Sequence, residues 1–145
     1  GTYDGNTALN VSQNIEPTSK VITIDLPEGS QSQAIFSYDN FLIKNANRSN
    51  KKCSSQKNVL QIYHDSTTLD FSNLDFNAAF IDGGHDYQTV KSDTSNIFKY
   101  IKKPGFILWH DYDVECEIGD LLHSLTKDWP IQSIKGTRLA YLKLD

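Results

Sequence analysis

Two short apolar runs, each closed by an acid or an imidazole, constrain this chain more than any other feature. Ala78-Ala79-Phe80-Ile81 leads into Asp82-Gly83-Gly84-His85-Asp86-Tyr87, and Phe106-Ile107-Leu108-Trp109 leads into His110-Asp111. Runs of four apolar residues without polar alternation predict strands buried on both faces, as in a parallel sheet covered by helices. The polar residues after each run then stand at strand carboxyl ends, where open α/β sheets bind ligands. If the two strands are neighbours, Asp82, His85, His110 and Asp111 converge on one crevice.

The rest of the chain alternates in the same way. Gly1-Thr2-Tyr3-Asp4-Gly5 is a glycine-bounded turn, and Asn6 is the expected cap of a helix over 7–16, with Ala8, Val11 or Ser12, and Ile15 on its apolar stripe. Val21 to Leu26 and Val59 to Tyr63 read as strands. Between them, Ile35, Tyr38 and Leu42 predict a helix over 31–43. The stretch 44–58 carries Lys44, Arg48, Lys51, Lys52 and Lys57 with no acid among them. It reads as a solvated surface loop, or as a basic lid that steers an anionic group. Asp86 should cap a helix whose face is Val90, Thr94, Ile97, Phe98 and Ile101. A strand over 106–110, a helix over about 115–127 and strands over 131–134 and 139–144, turned at Gly136-Thr137, complete the pattern. This is an α/β chain with a doubly wound, mostly parallel sheet and an antiparallel terminal strand pair. The opening turn reads as a loop leaving a strand, with no strand before it, so the sheet is expected to lack its first strand.

The 145 residues fit one domain, with 38% hydrophobic and 22% charged content. A formal charge of −4 argues against a general nucleic-acid partner. No apolar run reaches membrane-spanning length and no signal peptide is evident, so a cytoplasmic protein without a membrane partner is expected. Cys53 and Cys116 are isolated and read as reduced thiols.

The chemistry grows from the strand ends. The GxxxG turn lets backbone approach a ligand, and the following helix offers unpaired N–H groups to an anion. It is not the GxGxxG dinucleotide fingerprint. Asp25, near the end of the strand over 21–26, is placed where an acid can accept hydrogen bonds from ribose hydroxyls. Carboxylates of Asp82 and Asp111 suit a hard ion such as Mg²⁺, whereas the His110 imidazole favours a softer one. His85 can stand beside such an ion without binding it and remove a proton from a substrate hydroxyl.

In order, Gly-x-Tyr-x-Gly-x-Thr, Ile-Thr-Ile-Asp, the Asp-Ser after the third strand, Phe-Ile-Asp-Gly-Gly-His-Asp-Tyr, Lys-Pro-Gly-Phe-Ile and Trp-His-Asp-Tyr resemble class I S-adenosylmethionine-dependent methyltransferases. The chain is most similar to the small metal-assisted O-methyltransferases of catechol and macrolide-sugar type. The resemblance implies S-adenosyl-L-methionine as cofactor, with Gly1, Tyr3, Gly5 and Thr7 around its methionine half. It implies Asp25 on the ribose diol, Asp65 and Ser66 at adenine, and Asp82 near both cofactor and metal. His110 and Asp111 complete the implied divalent-metal set, and His85 takes the general-base position toward a small-molecule hydroxyl acceptor. The His-Asp pair departs from the family's more usual pair of oxygen ligands. Two other readings stand beside this one: a metal-dependent hydrolase or phosphoesterase, and an inactive, truncated binding module. Either a monomer or a homo-oligomer is compatible with the sequence.

Overall fold

The computed structural model describes residues 1–30, 41, 43–44, 51–112 and 117–145. The helix expected over 31–43, the first part of the basic stretch and Cys116 therefore lie mainly outside the described residues. The chain divides into two compact units, Gly1–Leu69 and Asp70–Asp145.

In the first unit, helix α1 (Asn6–Asn14) packs on strand β1 (Val21–Asp25), which pairs in parallel with β2 (Val59–Tyr63). Gly5, not Asn6, is the cap of α1: its φ of 81° is a left-handed conformation that glycine adopts without steric cost. Asp4 performs the polar part of the capping, its Oδ1 accepting from the Asn6 N–H at 2.9 Å. The inward stripe is Ala8 and Ser12, while Val11 is exposed. Ser12 is tolerated there because its hydroxyl donates to the Leu9 carbonyl at 2.8 Å.

The second unit is a four-stranded sheet in the order β3-β4-β6-β5, from Ala78–Ile81, Gly105–Trp109, Leu139–Leu144 and Gln132–Ile134 respectively. β3 and β4 are parallel, and the β4–β6 and β5–β6 pairings are antiparallel. Helix α2 (Tyr87–Tyr100) links β3 to β4, and α3 (Glu117–Leu125) follows β4. Ile81, Val90, Ile107, Trp109, Leu122 and Leu142 lie at the centre of the core. Gly136, at φ 78°, turns the terminal hairpin.

Burial on both faces, expected from the unbroken apolar runs, is not what the described residues show. Ile81, Ile107 and Trp109 are buried, whereas Phe80 and Phe106 on the alternate positions are 40% and 38% exposed. Phe106 instead stacks on Tyr141 across the sheet, ring centroids 5.8 Å apart. A short 3₁₀ turn, Phe71–Asn73, went unanticipated; Phe71 is buried and stacks on Tyr100. Among the described residues, no helix is long and apolar enough to cross a membrane.

Candidate functional site

The second unit brings together four of the predicted residues. Because β3 and β4 run parallel with Ile81 opposite Trp109, their carboxyl ends finish side by side. The His110 N–H donates to the Ile81 carbonyl at 3.0 Å, extending the ladder to where the polar residues begin. Asp82 leaves β3 there, and His85 follows on the short link to α2. That link is fixed at its far end: Asp86 Oδ1 accepts from the Thr89 N–H at 2.9 Å as an N-cap, and Glu117 of α3 accepts from the Tyr87 N–H at 2.6 Å.

Asp111 is the hub. Its Oδ2 lies 2.9 Å from His85 Nε2 and 2.9 Å from His110 Nδ1, while its Oδ1 lies 3.1 Å from Arg138 Nη1. Its backbone is left-handed, φ 57°, an uncommon conformation outside glycine in which aspartate is enriched. Burial works to raise the Asp111 pKa, but the hydrogen bond and charge of His110, together with His85 and Arg138, outweigh it and hold the carboxyl below the usual value.

Asp82, His110 and Asp111 offer three ligand atoms within 4.8 Å of one another. His110 Nδ1 is buried, 2.9 Å from Asp111 Oδ2 and 3.4 Å from Asp82 Oδ1. A buried ring nitrogen facing two carboxylate oxygens is a donor set of the kind that ligates a metal. The donor set thus fits a divalent cation, with mixed oxygen and nitrogen character.

The first unit carries the remaining candidates. Gly1, Tyr3 and Thr7 are exposed along the opening turn and first helical turn, and the buried Gly5 closes the turn with its N–H donating to the Thr2 carbonyl at 2.8 Å. The β2 end is tied to that of β1 by the His64 N–H donating to the Asp25 carbonyl at 2.8 Å, which sets Asp25, Asp65 and Ser66 on one sheet edge. Asp65 closes its own turn, accepting at Oδ1 from the N–H and hydroxyl of Thr67. Asp25 accepts from the Leu26 N–H at Oδ1 and pairs through Oδ2 with Lys51 Nζ at 2.5 Å. A carboxylate has about four acceptor sites, so this leaves capacity for a diol.

Lys51 corrects the reading of its stretch as solvated loop. It is 2% exposed, and the next residue reaches back to the opening turn, Lys52 donating its N–H to the Asp4 carbonyl and pairing through Nζ with Asp4 Oδ2 at 2.7 Å. Cys53, buried and unpaired, packs directly on Gly5, where an added Cβ would meet its Sγ at 2.8 Å. Trp109 is fully buried and donates from Nε1 to Thr94 Oγ1 at 3.0 Å. Arg138 was missed because it lies in no motif. Its signal is register: Trp109 pairs with Ala140, and two residues further along the antiparallel ladder Asp111 faces Arg138.

The family model described as a methyltransferase domain matches residues 1–112, most of the chain. The chain belongs to this methyltransferase family. Solved structures similar to it include the apo form of CalS11, a TDP-rhamnose 3'-O-methyltransferase of calicheamicin biosynthesis. That match has a TM-score of 0.61 at 13% identity, over 99% of this chain and 69% of that one. The O-methyltransferase NovP gives a TM-score of 0.65 at 13% identity, over 98% of this chain and 68% of that one. At such identity the likeness speaks for the fold, that of class I S-adenosylmethionine-dependent methyltransferases. No curated protein matches the chain.

Proposed function

We propose that this methyltransferase moves the methyl group of S-adenosyl-L-methionine to a hydroxyl of a small molecule, with a divalent cation and His85 as general base. The observation that carries the reading is the meeting of His85 Nε2 and His110 Nδ1 on Asp111 Oδ2, each at 2.9 Å, beside Asp82. Asp82, His110 and Asp111 would hold the cation. When bound, such an ion supplies a positive charge that orients a hydroxyl and lowers its pKa.

This chain's own residues do the rest. A proton on His85 Nε2 is held by Asp111 Oδ2, so in the neutral ring Nδ1 keeps the lone pair that accepts the hydroxyl proton. The oxygen then forms its bond to the methyl carbon as the carbon–sulfur bond breaks, and the electron pair stays on the thioether. Asp111, whose carboxyl the hydrogen bond of His110 and the nearby Arg138 guanidinium hold below its usual pKa, stabilises the resulting imidazolium. In the first unit, Gly1, Tyr3, Gly5 and Thr7 would line the methionine half of the cofactor. Asp25 would accept from the ribose diol alongside Lys51, with Asp65 and Ser66 toward adenine. CalS11, which acts on a nucleotide-linked rhamnose, makes a sugar hydroxyl the first acceptor class to test.

Calorimetry with S-adenosylhomocysteine, and methyl transfer with Mg²⁺ or Mn²⁺ to nucleotide-linked sugars and to catechols, test the proposal together. The wild type binds the cofactor product and methylates a hydroxyl, and His85→Asn keeps binding while losing about 10²–10⁴-fold in turnover. Phosphoester turnover with no response to S-adenosylhomocysteine would overturn it.

A further inference from the structure

We propose that Arg138 is a positioning residue that fixes the Asp111 carboxylate so that Oδ2 alone is presented to the cation. The inference rests on the metal reading above but concerns a residue outside the stretch that the family model matches, 1–112. Three observations support it. Arg138 Nη1 occupies Oδ1 at 3.1 Å while both imidazoles gather on Oδ2. The Tyr112 N–H donates to the Arg138 carbonyl at 3.1 Å, so the contact is pinned by backbone as well as by charge. The Asp111 side chain is only 12% exposed and sits on a left-handed backbone, so its orientation has few alternatives once the guanidinium is in place.

The chemical consequence is selectivity. A carboxylate free to rotate can chelate an ion through both oxygens, as large, flexible Ca²⁺ sites accept, whereas Mg²⁺ demands near-octahedral geometry with short contacts. Holding Oδ1 on a guanidinium makes Asp111 a one-oxygen ligand and disfavours the larger ion. A competing account is that Arg138 only adds positive charge near the cluster. Charge alone would oppose cation binding, so its removal would tighten the site. The guanidinium is 59% exposed, and water screens that repulsion, so the positioning effect dominates.

The test is Mn²⁺ binding to the whole chain followed by electron paramagnetic resonance, with Ca²⁺ as competitor and thermal unfolding measured in parallel. Arg138→Ala is expected to weaken Mn²⁺ binding about 10–100-fold, the range typical of lost outer-sphere partners, with Ca²⁺ losing clearly less. Arg138→Lys, which restores one donor to Oδ1, recovers most of the Mn²⁺ affinity. Equal or tighter Mn²⁺ binding by Arg138→Ala overturns the proposal in favour of charge alone, and so does an equal loss for both ions. If the wild type binds Mn²⁺ nowhere, the metal reading itself fails and the positioning role with it, an outcome distinct from wild-type binding that the substitution leaves unchanged.

Discussion

Lys51→Met is the most informative single perturbation of the first unit. It keeps the aliphatic stem and removes the ammonium that pairs with Asp25, where the lysine side chain has 0% exposure and the aspartate side chain 15%. Removing one partner of a buried pair costs about 3–5 kcal/mol, because the other charge is left uncompensated. The residual exposure of Asp25 and its bond from the Leu26 N–H place this case near the lower end, about 3 kcal/mol. With a urea m-value of about 1.5–2 kcal/mol/M, the midpoint falls by about 1.5–2 M. Adding Asp25→Asn to Lys51→Met removes the stranded carboxylate and should recover at least about half of the loss, since neutral replacements of buried pairs are often close to neutral. The assay needs a reporter in the right unit. Both tryptophans, Trp109 and Trp129, belong to the second unit, so fluorescence reports there, whereas the buried Cys53 thiol reports on the first. Thiol labelling against urea, in a Cys116→Ser background that leaves Cys53 as the single cysteine, gives the first unit's transition. An unchanged midpoint in Lys51→Met, or a double variant no more stable than the single, would refute the reasoning.

Asp86→Ala removes the N-cap of α2 and should cost about 1 kcal/mol, read as a lower urea midpoint by tryptophan fluorescence. Thr94→Val keeps the shape of the side chain but strands the buried Trp109 N–H, for an expected cost of about 1–3 kcal/mol, with a changed tryptophan emission in the folded state. Asp111 supplies the pH dependence. Its folded pKa lies below the ordinary 3.8, so as pH falls the unfolded chain takes up the proton first. Its stabilising contribution is therefore complete above that value and is lost as pH drops through the lower folded one. The stability gap between wild type and Asp111→Asn should narrow below about pH 4, and a gap constant from pH 6 to pH 3 would contradict this.

The legibility of the chain follows from which interactions are local. Strands β2, β3 and β6 fall where short apolar and β-branched runs put them, and Asp86 caps α2 as its position before an apolar helical face requires. The strand-end cluster was readable because like ends of parallel neighbours must coincide. What stayed hidden is long-range. Lys51 carries the same local signature as Lys52, yet one is buried and the other is exposed, and only the position of Asp25, far away in sequence, separates them. The burial of one sheet face and exposure of the other was equally invisible, because Phe80 and Phe106 are as apolar as Ile81 and Ile107. The Gly5 cap hid behind Asn6, a better cap by residue type, because a left-handed residue is set by the whole turn rather than by preference at one position.

The pairing of β4 explains why this site has the composition it has. A parallel neighbour brings its carboxyl end beside the carboxyl end of β4, and an antiparallel neighbour brings its amino end. β4 has one of each, so residues just after β3, just after β4 and just before β6 arrive at one place. The first two positions supply Asp82 and His110-Asp111. The third supplies Arg138, whose alignment with Asp111 follows from a register unbroken between Gly105–Leu144 and Trp109–Ala140. Two carboxylates placed this close together repel unless cations stand between them. The ladder provides one positive charge, in Arg138 beside Asp111, and under the proposed function the bound cation supplies the other. A one-residue slip of β6 against β4 would turn Arg138 to the opposite face of the sheet. The ladder that buries Leu142 and Ala140 in the core is therefore also what completes the charge balance at the cluster.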